Sequence, residues 1–123
     1  MASSSARRFD EALAAARQHH ALRDEAQVLG YRALSHERRG AYAEARADYE
    51  AGMKAARRAG DLGVAAAYAL NLGTNGFRSG LLDGVEQHYT LAARLSRRCG
   101  RTVTALLADN NLAQLHFYLG SFA

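Results

Sequence analysis

The 123-residue chain contains no proline, a single cysteine, Cys99, and a single lysine, Lys54. Without proline no backbone nitrogen is missing from a helical ladder, so helix ends must be signalled by other residues. One cysteine excludes an intramolecular disulfide and a cysteine-ligated metal cluster, and it fits a reducing interior. β-Branched residues are limited to a few Val and Thr, which disfavours strands. No apolar run approaches the roughly 18 residues of a membrane span, and no apolar stretch follows the polar start, residues 1–5, as a secretion signal would require. The expectation is a cytoplasmic protein with no membrane segment.

Charge of neither sign dominates a face. Sixteen Lys and Arg against 12 Asp and Glu give a formal net charge of +4, yet the signs alternate. Glu44, Arg46, Asp48, Glu50 and Lys54 read as a solvated helix face with local pairing, not as a phosphate-binding stripe. This argues against nucleic acid as the partner. Hydrophobic residues reach 49% and charged residues 23%, a mixture that favours helix throughout.

What the chain does have is a repeat. Residues recur at a separation of forty: Tyr49 with Tyr89, Arg57 and Arg58 with Arg97 and Arg98, Asn71 and Leu72 with Asn111 and Leu112. Glycines stand at 40, 60, 80, 100 and 120, every twenty residues, where a left-handed residue can stop each helix. Between them the spacing predicts helices over 21–39, 42–59, 62–79, 82–99 and 102–119, with an earlier one over 6–20. Asp61 is a predicted N-cap, and Thr102 is assigned the matching role after Gly100. A fixed period of this length is the mark of stacked helical hairpins that hide their apolar stripes against the next copy.

The predicted fold class is therefore all-α: a right-handed superhelical solenoid of antiparallel helix hairpins, about six helices with partial repeats at both ends. Residues 1–5 form a disordered or extraneous leader, 6–20 the second helix of a partial repeat, 21–60 and 61–100 two whole repeats, and 101–123 the first helix of a truncated one. The last segment carries Leu106, Leu107, Leu112, Leu115, Phe117, Tyr118 and Leu119 on more than one face, so self-association through it, as a homodimer, is an alternative expectation.

No catalytic or metal-binding constellation emerges. His19 and His20 are adjacent and diverge on a helix, and Ser35 and His36 are separated by about 100 degrees. Gly73, Gly76 and Gly80 lack the preceding strand and the following Gly-Lys-Ser/Thr of a phosphate loop. Neither enzyme activity nor a cofactor is expected.

Asn71, Leu72, Gly73, Gly80, Leu82, Val85, Tyr89 and Ala92 resemble the tetratricopeptide repeat, as do Ala33, Gly40, Tyr42, Ala45, Tyr49 and Gly52, and Leu112, Ala113, Gly120 and Phe122. In such repeats small residues such as Ala33, Gly73 and Ala113 let paired helices touch while Tyr42, Tyr49 and Tyr89 fill the wedge between hairpins. The forty-residue period is similar to that of kinesin light chains and bacterial regulators. Arg32, Gly76, Gly52 and Gly84 depart from the pattern.

The resemblance implies a protein-interaction module, part of a larger bacterial regulatory or scaffold protein, that holds a peptide or protein segment on a concave face. It assigns Asn71 and Asn111 to the backbone of that segment, since an amide donates and accepts at once. Asn75, Phe77, Asn110, Gln114 and Tyr118 would supply selectivity, and Arg38 and Arg78, forty apart, would attract acidic groups.

Overall fold

The computed structural model describes residues 4–120, and every element among them is helical: α1 Ser4–Gln18, α2 Leu22–Arg38, α3 Tyr42–Arg58, α4 Leu62–Ser79, α5 Val85–Arg98 and α6 Thr102–Gly120. Helix α1 starts at Ser4, inside the stretch expected to be a disordered leader; residues 1–3 lie outside the described residues, as do residues 121–123.

The turns follow the glycine period. Gly40, Gly60, Gly80 and Gly100 have φ between +75° and +78°, a conformation that costs a residue with a β-carbon about 1 kcal/mol or more. The same closing bond recurs at four of the five turns: Ala21 N–H donates to Ala16 O, Ala41 to His36, Asp61 to Ala56 and Arg101 to Ser96, each at 2.8 Å. At the first of these turns the left-handed residue is His20, φ +52°. Gly120 is the last residue of α6.

One turn differs. Helix α5 begins at Val85, three residues later than the spacing predicts, because Gly84 takes φ +83° and cannot belong to a helix. Gly84 is therefore a turn residue and not a weak spot inside α5. Gly76 explains the closeness of this loop: a β-carbon there would stand 2.7 Å from Leu81 O. Asp61 caps α4 as expected, accepting from Val64 N–H at 3.2 Å, whereas Thr102 is the first helical residue of α6 and Arg101 occupies the place of Asp61.

Consecutive helices pack against one another along the whole chain, α1 on α2 through to α5 on α6, and α4 also touches α6. Short connections make these neighbours antiparallel, and alanine lets them approach: Ala26, Ala55, Ala56, Ala65 and Ala66 form one buried cluster with Leu95, and Ala69, Ala92, Ala93 and Ala108 another. Larger residues fill the gaps. Tyr49 packs with Ala33, Ala45 and Leu72, and Tyr89 with Val85 and Leu115. Tyr68 is a further aromatic in the wedge: its ring lies 5.8 Å from that of Tyr49, and its hydroxyl donates to Ala26 O at 2.8 Å.

Arg32 also has a role the pattern did not give it. Its guanidinium donates to both carboxylate oxygens of Asp48, Nε–Oδ2 at 2.8 Å and Nη2–Oδ1 at 2.9 Å, and its remaining arm reaches Asp10 Oδ1 at 3.1 Å. One arginine on α2 thus ties α1 and α3 to it, and it makes burial of Asp48 tolerable.

Candidate functional site

The unit from which the surface is built is a cleft between successive even-numbered helices of the stack. One, about 440 Å³, is walled by Tyr31 and Leu34 of α2, floored by Tyr49 of α3 and closed by Tyr68 and Asn71 of α4. A second cleft, about 150 Å³, is walled by Thr74, Phe77 and Arg78 of α4, floored by Tyr89 of α5 and closed by Asn111, Gln114 and Leu115 of α6. Leu34 and Thr74, Tyr49 and Tyr89, Asn71 and Asn111 are each forty apart, so the period seen in sequence is a period of clefts along the face made by α2, α4 and α6.

Asn71 and Asn111 are both half-buried at equivalent places in these clefts. Among the described residues neither side-chain amide is hydrogen-bonded to another residue. Each keeps a donor and an acceptor for something else. Phe77, Arg78 and Gln114 line the second cleft with Asn111, and Tyr118 packs edge-on against Phe77 with ring centroids 5.3 Å apart. Arg38 lies on a third cleft, about 420 Å³, with Phe9, Tyr31 and Leu34, the counterpart of the position Arg78 holds in the second.

Two of the residues assigned from sequence do not belong with these. Asn75 is 0% exposed, and its amide donates to Tyr42 O at 3.1 Å and lies 3.5 Å from Glu37 Oε2. It joins α4 to the α2–α3 turn and cannot reach a ligand. A step of four from Asn71 puts it one turn along the helix, but twisted toward the hairpin interior. Asn110 is exposed yet lines neither cleft.

Three residues on the surface were not assigned from sequence: Tyr31, Leu34 and Tyr68. The signal for the first two was present, since Tyr31 stands forty before Asn71 and Leu34 forty before Thr74. Tyr68 has no such sign, because its counterpart Ala108 is small.

The electrostatics of the surface are mixed. Arg23, Asp24 and Asp61 rim the first cleft. Tyr49, whose hydroxyl donates to Glu37 Oε1 at 2.8 Å, and Tyr68 are both pushed above the ordinary phenol range, mainly by burial. Both therefore remain neutral hydrogen-bond donors at any physiological pH.

The histidines are dispersed. His36 lies between Arg39 and Asp48, with Nε2 3.6 Å from Asp48 Oδ2 and Nδ1 2.8 Å from Arg39 Nη2, and His116 faces Glu86 at 3.5 Å. Cys99 Sγ donates to Ser96 O at 3.6 Å. No group of three His, Cys, Asp or Glu residues is placed to hold a metal among the described residues, and no described helix is long and apolar enough to cross a membrane. Comparison with protein-family models, with curated proteins and with solved structures gives no match to this chain.

Proposed function

We propose that this chain is a protein-interaction module of the tetratricopeptide kind, non-enzymatic and cytoplasmic, which binds an extended segment of another protein along the face of α2, α4 and α6. It acts within a larger bacterial regulatory or scaffold protein. The observation that carries this reading is the recurrence of one cleft at a spacing of forty residues, each copy closed by an asparagine whose amide is not used by any other of the described residues. An extended peptide presents its own amides at regular intervals, and a column of such groups can hold it without demanding particular side chains. Tyr31, Leu34 and Phe77 give apolar side chains of the ligand a place to bury, while Arg38 and Arg78 favour acidic ones.

The test starts from peptides selected against the chain out of a random displayed library, because the natural ligand is not specified by these residues. Asn71→Ala and Asn111→Ala should each weaken binding of a selected peptide about tenfold, the worth of a hydrogen bond to a partly desolvated backbone, with helicity unchanged. A library that yields no binder, or binders indifferent to both substitutions, would remove the assignment.

A further inference from the structure

The forty-residue period builds both clefts, but the residues that give the first its character are ones that break the period. Asp24, Tyr31, Asp61 and Tyr68 line that cleft; forty residues on stand Val64, Asn71, Arg101 and Ala108. Two carboxylates and two phenols thus give way to one arginine, one amide and two apolar side chains. Among the described residues that line the second cleft, Arg78 is the one charged group. Clefts alike in backbone therefore differ in the charge they attract.

The first cleft suits a cation with a flat, partly apolar body. Tyr49 is its floor, Tyr31 and Tyr68 stand in its walls, and the rings of Tyr49 and Tyr68 are tilted by 52° to each other. Tyr31 is 57% exposed, so its ring is open to a ligand. The hydroxyls of Tyr49 and Tyr68 both donate, to Glu37 Oε1 and Ala26 O. A phenol that donates leaves its ring richer in electrons, and such ring faces attract cations. At the rim, half-buried Asp61 spends Oδ1 on the cap of α4, which leaves Oδ2 unused among the described residues. Asp24 and Arg23 are both exposed and offset each other, so Asp61 sets the sign. Burial, then Tyr31 and Asp61, raise the Tyr68 phenol; the two tyrosines and the carboxylate are close enough to act on one another.

We infer that the first cleft receives an arginine side chain of the bound segment, with its stem along Tyr31 and its guanidinium between the tyrosines and Asp61. The inference rests on the peptide-binding reading above and names a side chain which that reading leaves open. Arginine fits better than lysine because its plane stacks on rings and its five donors can serve Asp61 Oδ2 and the Asn71 amide oxygen together. The volume, about 440 Å³, falls in the ordinary range of ligand pockets, about 300 to 1,000 Å³. With Arg78 in the second cleft repelling a second cation, the two clefts also fix the direction in which the segment lies.

Peptides selected from the displayed library should share an arginine at one position. Replacing it by citrulline, which keeps the shape and removes the charge, should weaken binding about tenfold or more. Asp61→Asn retains an oxygen for the cap, and asparagine caps a helix as well as aspartate does; it should cut the preference for arginine over citrulline to about threefold or less. Tyr31→Leu should also reduce that preference, and both variants should keep their helicity. A selected pool with leucine or an aromatic residue in place of the arginine, or a preference that neither substitution alters, would overturn the inference, while Asn71→Ala and Asn111→Ala still report on the peptide reading. N-acetyl-arginine N-methylamide and its citrulline analogue, titrated into the chain and followed by amide NMR shifts, test the cleft without a peptide. Shifts at Tyr31, Asp61 and Tyr68 that only the arginine compound produces, and that Asp61→Asn removes, support the assignment. Equal shifts from both compounds, or no shifts at these residues, count against it. If the library yields no binder the peptide reading falls, and this titration decides the cleft.

Discussion

The ring of Tyr68 occupies the space that Gly30 leaves empty: a β-carbon on Gly30 would stand 1.9 Å from the Tyr68 hydroxyl oxygen and 2.4 Å from the carbon that bears it. Gly52, across the hairpin, would meet the other edge of the same ring at 2.9 Å. Two glycines inside helices, each about 1 kcal/mol worse than alanine by propensity, make a slot that one aromatic fills. Gly30→Ala should therefore lower stability by about 1 to 3 kcal/mol in spite of its better propensity, as overpacking does. In a Tyr68→Leu background the same change should become neutral or favourable. Urea unfolding of the four proteins in this cycle decides it, and simple additivity would show that ring and glycine do not interact.

Asp48 and Asp10 share one arginine but differ in burial. Asp48 is 6% exposed, whereas the Asp10 side chain is open to water. Arg32→Ala should cost about 3 kcal/mol by stranding a buried carboxylate, and Asp10→Asn no more than about 1 kcal/mol. Equal losses from the two substitutions, measured by the same unfolding assay, would place the energy at the wrong end of the bridge.

His20 holds the left-handed turn position that glycine holds at 40, 60, 80 and 100. Replacing it by Gly should stabilise the α1–α2 junction by about 1 kcal/mol. Gly40→Ala should destabilise by a similar amount, through backbone strain alone, because nothing lies within 4 Å of a β-carbon there. Thermal melts should move in opposite directions. A lower melting temperature for His20→Gly would show that the imidazole contributes something besides its backbone angle.

The neutral tyrosines make an alkaline prediction. Tyr49 and Tyr68 have phenol groups raised above their ordinary value, chiefly by burial. A raised folded value means that stability is complete below the unfolded pKa of about 10 and declines above it, as the unfolded chain gives up protons that the folded chain retains. The variant carrying Tyr49→Phe and Tyr68→Phe should start less stable but lose less as pH rises past that point. Parallel stability curves for variant and parent would contradict the sign.

Where a structural fact depends on residues that repeat, it could be read from the chain. The twenty-residue glycine spacing located the turns, and the forty-residue spacing of Asn71 and Asn111 located equivalent places in two clefts. The same rule applied to Asn71 in the other direction would have found Tyr31. Where a fact depends on residues that break the repeat, reading failed. Gly84 has no turn glycine forty residues before it, so the later start of α5 was invisible. Asn75 stands where α6 has Leu115, and only its contact with Tyr42 O shows that it is a buried tie and not a ligand-facing amide.

Local rules determined the helices, their order and most of their ends, because helix periodicity and left-handed caps involve residues only a few positions apart. The stacking of like on like followed from the same pattern, since equal units bury equal stripes. What tertiary structure alone decided is which polar side chains face inward. Arg32 with Asp48, Asn75 with Tyr42 and Tyr68 with Ala26 join partners 16, 33 and 42 residues apart. Whether an amide is sealed in a junction or left open at a cleft is settled by the angle at which helices meet, a quantity carried by no single stretch of the chain.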